Sequence, residues 1–213
     1  MRIAVSGLSG CGNTTVTKLV AEKLKLKRVN YTFRDMAREK RVSFKKFCEF
    51  AEKNFPKTDF SLDRKLSKLV IANKNCILGS RLAVWLDSSK VKKKTRVEGV
   101  KFDLKVWLEA PLAVRAKRIQ KREGGSFKKV LEETRERDAR DAARYEKAYG
   151  IDFLNPKVDL VIDVEKNNAR QVAAKIVNAA LEKTRRHGEN KRQVVKKAIV
   201  KRREKQVVKN KAI

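Results

Sequence analysis

The sequence is poor in the residue types that build disulfide frameworks and metal centres. It has three cysteines and one histidine among 213 residues. Cys11, Cys48 and Cys76 show no paired spacing, so we expect neither a disulfide scaffold nor a zinc site, and a reducing cytoplasm fits this pattern. His187 lies in a basic segment without a cysteine or carboxylate cluster around it. We therefore expect it to be neither a catalytic base nor a metal ligand.

Long apolar runs are also missing. No segment approaches the roughly 20 apolar residues that a transmembrane helix needs, so no membrane partner is expected. The chain starts instead with a short strand-like run, Ile3–Ser6, which predicts that no signal peptide precedes the fold.

Acidic residues are scarce relative to basic ones. The chain has 25 Asp and Glu against 55 Lys and Arg, for a formal net charge of +30. Such a charge attracts polyanions, which include nucleotides, RNA and acidic partners. A solvated lysine-rich surface, as in some heat-adapted proteins, is the alternative for part of this charge. The length and the 41% hydrophobic content predict one domain with a sizeable core.

A glycine-rich loop follows the first strand-like run and precedes an amphipathic helix that runs from Thr14 to about Leu24. The spacing of Gly7 and Gly12 matches a phosphate-binding P-loop, in which backbone N–H groups and the helix dipole hold phosphate. Thr14 stands at the position of the magnesium-binding hydroxyl. Asn13 stands where the pattern has lysine. An ordinary turn between a strand and a helix is the alternative interpretation.

We predict that this loop binds a nucleotide phosphate through nine consecutive residues, with Thr14 also helping to hold Mg²⁺. They are Gly7, Leu8, Ser9, Gly10, Cys11, Gly12, Asn13, Thr14 and Thr15. The thiol of Cys11 lies beside a helix N-terminus, where it either becomes more acidic or only fills the loop.

Short apolar runs alternate with helical patterns along the chain. The predicted strands are Ile3–Ser6, Leu26–Val29, Cys76–Leu78, Leu104–Leu108 and Leu160–Ile162. The predicted helices cover residues 14–24, 33–40, 43–53, 59–73, 111–123, 126–147 and 168–184. This alternation predicts an α/β fold with a parallel sheet covered on both faces.

Two polar segments stand apart. Residues 87–101 are predicted to form a loop or an exposed hairpin. Residues 183–213 contain thirteen Lys or Arg and two Glu, and so predict a basic C-terminal extension to a domain at 1–182. We expect a protruding helix or a partly disordered arm there, which could bind RNA non-specifically.

Arginines cluster in two helical patterns. Arg137, Asp141 and Arg144 share one helix face, where two arginines and a carboxylate can hold a phosphate and a sugar hydroxyl. The alternative is a salt-bridged, solvent-exposed face. In the preceding helix Arg115, Arg118 and Arg122 also share a face, followed by Gly124 and Gly125. That pattern is typical of a mobile arginine-bearing lid or of a basic helix with a glycine cap.

Three further sites follow predicted strands or lie in nearby helices. Arg81 comes in the turn Gly79-Ser80-Arg81-Leu82-Ala83, directly after the strand Cys76–Leu78. Ligands gather beyond the carboxyl ends of parallel strands, so Arg81 is expected to face the same crevice as the P-loop. Arg34 and Arg38 lie in the first helix after the second strand. The pair Asp63-Arg64 is a weaker candidate.

These segments, in this order over residues 1–182, resemble the archaeal-type cytidylate kinases of the nucleoside monophosphate kinase family. The matching segments are the N-terminal strand and loop, Phe33–Ala37, Gly79–Ala83, Trp107–Arg115, Glu132–Tyr145 and Tyr149–Asp152. The resemblance implies a P-loop kinase fold with a five-stranded parallel sheet of order 2-3-1-4-5 and a helical lid at about 115–145. It implies transfer of the γ-phosphoryl group of ATP to CMP or dCMP with Mg²⁺, by a cytoplasmic protein that we expect to be a monomer.

The resemblance also implies roles for individual residues. The catalytic set is Arg115, Arg118, Arg122, Arg137 and Arg144. The CMP-binding set is Arg34, Arg38, Asp63, Arg64, Arg81, Arg137, Asp141 and Arg144.

Three features depart from the family pattern. Asn13 replaces the P-loop lysine, Leu78 precedes Gly79 where an acidic residue is usual, and the basic extension has no counterpart in the family core. Asn13 and the extension point to a second interpretation, a P-loop module that binds nucleotide with little or no turnover and associates with RNA or the ribosome.

Overall fold

Five parallel strands form the centre of the first of two compact units, Met1–Val177 and Asn178–Ile213. The computed structural model describes residues 1–186 and 189. The strands are β1 (Arg2–Gly7), β2 (Lys27–Val29), β3 (Cys76–Gly79), β4 (Leu104–Glu109) and β5 (Leu160–Asp163). Their order in the sheet is β2-β3-β1-β4-β5, with every neighbouring pair parallel, which confirms the predicted fold.

Seven helices connect these strands. They are α1 (Asn13–Leu24), α2 (Phe33–Glu39), α3 (Phe44–Lys53), α4 (Lys57–Ala72), α5 (Ser89–Thr95), α6 (Leu112–Glu123) and α7 (Phe127–Tyr149). The first unit ends in helical residues 169–177. In the second unit the described residues, 178–186 and 189, are helical, and the rest of the predicted extension lies outside the described residues. No helix among the described residues is both long enough and apolar enough to span a bilayer.

The predicted loop or hairpin at 87–101 is wrong, because this segment contains helix α5. The hydroxyl of Ser88 caps the helix by accepting a hydrogen bond from the Val91 backbone N–H. Val91 and Thr95, four residues apart, are buried on the inner face. The intervening lysines hide this spacing in the sequence, since they make the segment read as polar throughout.

The central strands are apolar because both faces of the sheet are covered. Val5 in β1 and Ile77 in β3 have no exposed surface. On one face a cluster of aromatic rings fills the core, with Trp85 stacked on Phe153 at 5.2 Å between ring centroids and set edge-on to Trp107 at 5.7 Å. This packing fixes the turn after β3, which carries Arg81.

Strand register brings the functional loops together. Val5 in β1 pairs with Gly79 at the end of β3, and Gly7 pairs with Leu108 in β4. The P-loop after β1 therefore lies between the turn after β3 and the segment leading into α6. This is the edge of a parallel sheet where ligands bind.

Candidate active site

At two positions the backbone of the P-loop adopts a conformation that strongly favours glycine. Gly10 and Gly12 have φ values of 87° and 93°, in the left-handed region. A Cβ atom on Gly10 would lie 2.8 Å from the Arg115 carbonyl oxygen, so the loop packs directly against the start of α6. Gly12 caps α1 without any side-chain hydrogen bond. The first N–H groups of α1 thus have no side-chain acceptor, which makes this helix end suited to phosphate.

The side chain of Asn13 turns back onto its own loop. Its Nδ2 donates a hydrogen bond to the Gly7 carbonyl at 3.0 Å, while its Oδ1 is buried without a hydrogen-bond partner. Thr14 and Thr15 are exposed in the first turn of α1. Burial raises the pKa of the neighbouring Cys11 thiol to about 11, so this cysteine is a buried part of the loop rather than an acidic nucleophile.

Two cavities meet at Arg81, and one of them also borders the loop. The P-loop cavity, of about 510 Å³, is bordered by Thr14, Arg34, Asp63, Ser80 and Arg81 among others. The α7 cavity, of about 1040 Å³, is bordered by the polar residues Glu52, Asp59, Arg81, Arg137, Arg140, Asp141, Arg144, Tyr145 and Lys147. Both cavities share Arg81 and Tyr145, and each has a volume suited to a nucleotide-sized ligand.

Arg81 links the P-loop to helix α7. Its Nη2 donates to the Ser9 hydroxyl at 2.7 Å, and its Nη1 forms an ion pair with Asp141. The turn that carries it is anchored on β1, because the Ser6 hydroxyl donates to the Ser80 carbonyl at 2.8 Å and accepts from the Val84 N–H at 3.2 Å. Burial raises the pKa of Asp141, and the charge of Arg81 opposes that rise.

Arg115 forms a second link between the same two elements, but deeper in the protein. Its guanidinium donates to Asp138 at 2.6 Å, to the Ser9 carbonyl at 3.2 Å and to the Ala110 carbonyl at 3.0 Å. Its side chain is only 5% exposed. Arg115 and Asp138 therefore form a buried ion pair that holds the loop against α7.

The predicted triplet on α7 lies along the α7 cavity, which all three of Arg137, Asp141 and Arg144 border. Arg144 is also an ion-pair partner of two other helices. It donates two hydrogen bonds of 2.8 Å to Asp59 in α4 and one of 2.9 Å to Glu52 in α3. These contacts bring α3 and α4 against α7 and so form the wall of the cavity.

Asp63 is a buried acid at the P-loop cavity. Burial raises its pKa from 3.8 to about 7, with a further rise from the charge of Asp59 and an opposing effect of the hydrogen bond donated by Tyr149. The neighbouring Arg64 has a different place, since its Nε donates to the Thr95 carbonyl at 2.8 Å and ties α4 to α5.

The remaining predicted arginines are spread more widely. Arg34 borders the P-loop cavity with its guanidinium 4.0 Å from the centroid of the Phe44 ring, whereas Arg38 pairs with Asp35 at the surface. Arg118 donates to the Val164 carbonyl at 2.6 Å, and Arg122 pairs with the adjacent Glu123.

The structure thus groups six predicted residues around the two cavities, and it leaves five predicted arginines outside them. The six are Arg34, Asp63, Arg81, Arg137, Asp141 and Arg144. The five are Arg38, Arg64, Arg115, Arg118 and Arg122. Arg118 borders a separate cavity of about 600 Å³ together with Gly124 and Gly125.

Sequence reasoning missed several residues that shape this site. Asp59 lies four residues before Asp63 on the same helix, so the i,i+4 spacing was a usable signal. Ser80 borders the P-loop cavity with a buried hydroxyl that has no hydrogen-bond partner, and it stands beside Arg81 in the quoted turn. Glu52 and Tyr149 gave no local signal, because their partners are distant in sequence.

Comparisons with known proteins agree with this geometry. A family model described as the cytidylate kinase-like family matches residues 2–166. Cytidylate kinase 2 of Borrelia garinii subsp. bavariensis is 43% identical over 176 residues, which cover 81% of this chain and 92% of that protein. Cytidylate kinase of Methanosarcina barkeri is 42% identical over 176 residues, with the same coverage of 81% and 92%.

Among solved structures, a shikimate kinase from Acinetobacter baumannii in complex with shikimate superposes with a TM-score of 0.51. It is 17% identical and covers 85% of this chain and 93% of its own, which supports a P-loop kinase fold and nothing finer. The family match and the two relatives go further than the fold. The resemblance read from the sequence is confirmed, and the chain belongs to the cytidylate kinase-like family.

Proposed function

We propose that the protein transfers the γ-phosphoryl group of ATP to CMP or dCMP and releases ADP and the corresponding diphosphate. One observation carries the proposal beyond family membership. Arg81 contacts Ser9 of the P-loop and Asp141 of α7, so the loop suited to a donor phosphate and the arginine-lined cavity meet at one side chain. This arrangement suits a donor and an acceptor nucleotide whose phosphates face each other.

The reaction needs positioning and charge neutralisation more than a base. A phosphate oxygen of CMP forms a bond to the γ-phosphorus while the bond from that phosphorus to the β,γ-bridging oxygen breaks, and its electron pair leaves with ADP. The N–H groups of residues 10–14 hold the β-phosphate in this proposal. Arg81 binds the acceptor phosphate, while Arg137 and Arg144 bind the acceptor and neutralise the charge that develops on the transferring group.

Mg²⁺ fits the site through Thr14. Its exposed hydroxyl borders the P-loop cavity, as does the unpartnered hydroxyl of Ser80. Among the described residues no cluster of three or more acidic, histidine or cysteine side chains is ready to hold a metal. One or two protein oxygens suffice, because Mg²⁺ in such sites binds mainly to water and substrate phosphates. When bound, the ion neutralises phosphate charge.

The second interpretation, a nucleotide-binding module without turnover, is supported by Asn13 alone among the described residues and is not favoured. The relatives with which the chain shares about two fifths of its residues are named cytidylate kinases. We further propose a monomer in the cytoplasm, where three free cysteines are stable. Non-specific RNA binding by the basic extension is a separate proposal.

A product assay tests the proposed reaction. The purified protein is incubated with ATP, Mg²⁺ and one monophosphate at a time, and diphosphate is measured by chromatography. We expect turnover with CMP and dCMP to exceed that with AMP. Robust turnover of AMP with none of CMP would contradict the substrate assignment. Absence of any product from a folded sample that binds ATP would support the module without turnover.

Two neighbouring threonines give a matched test of the loop. Thr14→Ala is expected to lower Mg²⁺-dependent turnover by about 100-fold or more, a loss typical of a group that stabilises transition-state charge. Thr15→Ala removes the same hydroxyl one residue further on, outside the cavity, and should retain more activity. Equal activity of the two variants would show that the metal role of Thr14 is wrong.

A further inference from the structure

The P-loop of this protein lacks its own cation. Asn13 stands at the position of the lysine that elsewhere reaches the β- and γ-phosphates. Its amide donates one hydrogen bond to the Gly7 carbonyl at 3.0 Å, so its side chain is turned back onto the loop. A neutral amide cannot offset the negative charge of a triphosphate. A side-chain cation that takes the place of this lysine has to come from another part of the chain.

Among the described residues, two arginine side chains hydrogen-bond to the loop, and both do so at Ser9. Arg115 is poorly placed for a ligand, because its side chain is 5% exposed, it borders neither cavity, and its Nε and Nη1 atoms donate to Asp138 and two backbone carbonyls. Its charge is already neutralised by the buried carboxylate. Its contacts hold the loop in place.

Arg81 differs from Arg115 in each of these respects. Its side chain is 34% exposed, and its contact with the loop is to the neutral hydroxyl of Ser9. Of the arginines in the described chain that border the two cavities, it alone borders both. Its counter-charge, Asp141, sits in surroundings that disfavour the ionised carboxylate, since burial raises its pKa. Nucleotide phosphates therefore compete with a weakened partner for the guanidinium.

The main chain of Arg81 is fixed relative to the loop. The Ser80 N–H donates to the Val5 carbonyl at 3.3 Å, and the Ser6 hydroxyl bridges the Ser80 carbonyl and the Val84 N–H. Val5 and Ser6 belong to β1, the strand that leads directly into the loop. The guanidinium is thus held at a constant position next to the loop, as a lysine within the loop would be.

We propose that Arg81 takes the place of the missing P-loop lysine: held on the loop by Ser9 and on α7 by Asp141, its guanidinium supplies the positive charge at the transferring phosphoryl group. This inference rests on the proposed kinase activity. It goes beyond binding of the acceptor phosphate, because it assigns to Arg81 a contact with the phosphates of the donor ATP that the neutral Asn13 cannot replace.

A double-mutant cycle between positions 13 and 81 tests the assignment. The four proteins are the wild type, Asn13→Lys, Arg81→Gln and the double variant, each assayed for kcat and KM with ATP, Mg²⁺ and CMP. Arg81→Gln should lower kcat by about 100-fold or more. Asn13→Lys should raise kcat of the Arg81→Gln protein by at least about tenfold, and by a much smaller factor in the wild type. Titration of ATP binding should show the same pattern of loss and rescue.

A control background separates charge replacement from general activation. Arg34→Gln removes another arginine of the P-loop cavity, one that has no described contact with the loop and that is assigned to the acceptor alone. Asn13→Lys should not rescue that variant. If Asn13→Lys acts by the same factor in the wild-type and Arg81→Gln backgrounds, the two positions are independent and the proposal is wrong. A higher KM for CMP without any rescue would show that Arg81 binds only the acceptor.

Two further outcomes are distinguishable. If the wild type makes no diphosphate, the proposed function fails, whereas a failed rescue in an active enzyme overturns only the role of Arg81. If Arg81→Gln does not fold by circular dichroism, Arg81→Lys carries the same comparison. Lysine keeps the charge but loses the two-pronged contact with Ser9 and Asp141. Asn13→Lys must again raise kcat more in that variant than in the wild type, and an equal effect overturns the proposal.

Discussion

Asp63 shows how burial changes the chemistry of a single side chain. It is 5% exposed, no lysine or arginine among the described residues is paired with it, and its carboxyl accepts a hydrogen bond from Tyr149. Burial raises its pKa from 3.8 to about 7. Near neutral pH this carboxyl at the edge of the P-loop cavity is therefore partly protonated.

The raised pKa predicts a loss of stability as the pH rises. The folded protein keeps the Asp63 proton up to about pH 7, whereas the unfolded chain releases it near its ordinary pKa of 3.8. Between these values the folded state binds more protons, so the free energy of unfolding falls as the pH increases and levels off above about pH 7. Between pH 5 and pH 8 the expected loss from this one group is on the order of 3 kcal/mol, because each pH unit below the folded pKa contributes about 1.4 kcal/mol. Asp63→Asn cannot ionise and should lose much less stability between pH 5 and pH 8.

Urea unfolding at pH 5 and pH 8 measures this difference. Glu98→Gln, which neutralises an exposed acid, is the matched control and should follow the wild type. Tyr149→Phe removes the hydrogen bond that favours the ionised carboxyl, so the decline should move to higher pH. An identical pH dependence in the wild type and in Asp63→Asn would show that Asp63 is not the group responsible.

Single residues of the site were predictable where their spacing is local. The face shared by Arg137, Asp141 and Arg144 follows from helical periodicity, and all three border one cavity. The partners of Arg144 were not predictable in this way. Asp59 and Glu52 lie more than 80 residues away in the chain, and only the tertiary packing of α3 and α4 against α7 brings them together.

At the scale of the element, α6 has two ends of different character. The predicted arginine face starts at Arg115, which is buried and paired with Asp138, and ends at Arg122, whose side chain is 64% exposed. Gly124 caps the helix with a hydrogen bond from its N–H to the Gln120 carbonyl at 2.8 Å. The glycine cap is therefore present, while motion of a lid at 115–145 stays a prediction.

An alanine substitution is expected to change stability much more at the first end of α6 than at the second. Arg115→Ala leaves Asp138 buried without its counter-charge, which typically costs about 3–5 kcal/mol, and it releases the loop at Ser9. Arg122→Ala removes only a surface pair and should change stability by no more than about 0.5 kcal/mol. Thermal denaturation of both variants, with circular dichroism as the readout, makes the comparison.

Activity adds a second readout to the α6 comparison. Arg115→Ala should lose activity together with stability. If Arg122 acts in a closing lid, Arg122→Ala should lose activity while its melting temperature stays close to that of the wild type. A large loss of stability in Arg122→Ala, or none in Arg115→Ala, would contradict the burial pattern described for this helix.

Helix α5 marks the limit of prediction at this scale. The sequence identified all five strands, and the three central ones, β3, β1 and β4, leave the continuous apolar signal of strands buried on both faces. The edge strand β2 leaves a weaker signal, because its Lys27 and Arg28 are exposed. A seven-residue helix with four consecutive polar or charged positions leaves no such signal. Its only sequence marks were the Ser88 cap and the spacing of Val91 and Thr95. A helix this short repeats that spacing too few times for the sequence to distinguish it from a loop.

At the scale of the whole molecule, the order of the strands in the sheet was predicted from the family resemblance, because the spacing of apolar runs does not tell which strands are neighbours.

The distribution of charge over the whole molecule has a different basis. The net charge of +30 is not explained by the nucleotide site, which needs only a few arginines. Residues 183–213 hold thirteen of the 55 basic side chains and lie beyond residues 2–166, which match the family model.

Removal of residues 183–213 is therefore expected to separate two properties. The segment carries a net charge of +11 from its Lys, Arg and Glu side chains and contains no aromatic residue. A chain ending at Glu182 should keep the kinase activity and melting temperature of the full chain, because the proposed site lies within residues 7–149. It should bind single-stranded RNA more weakly, and the log–log slope of affinity against salt should flatten by about 0.7 for each lost phosphate contact.

Filter binding at several salt concentrations measures that slope, and Lys93→Gln with Lys94→Gln in the full chain controls for the loss of any two exposed cations. This control should shift RNA affinity less than the truncation does. A fall of many degrees in melting temperature would instead mean that the apolar residues Val194, Val195 and Ile199 contribute to folding. The basic segment would then be part of the folded protein rather than an RNA-binding extension, and weaker RNA binding after truncation would follow from unfolding and not from lost charge.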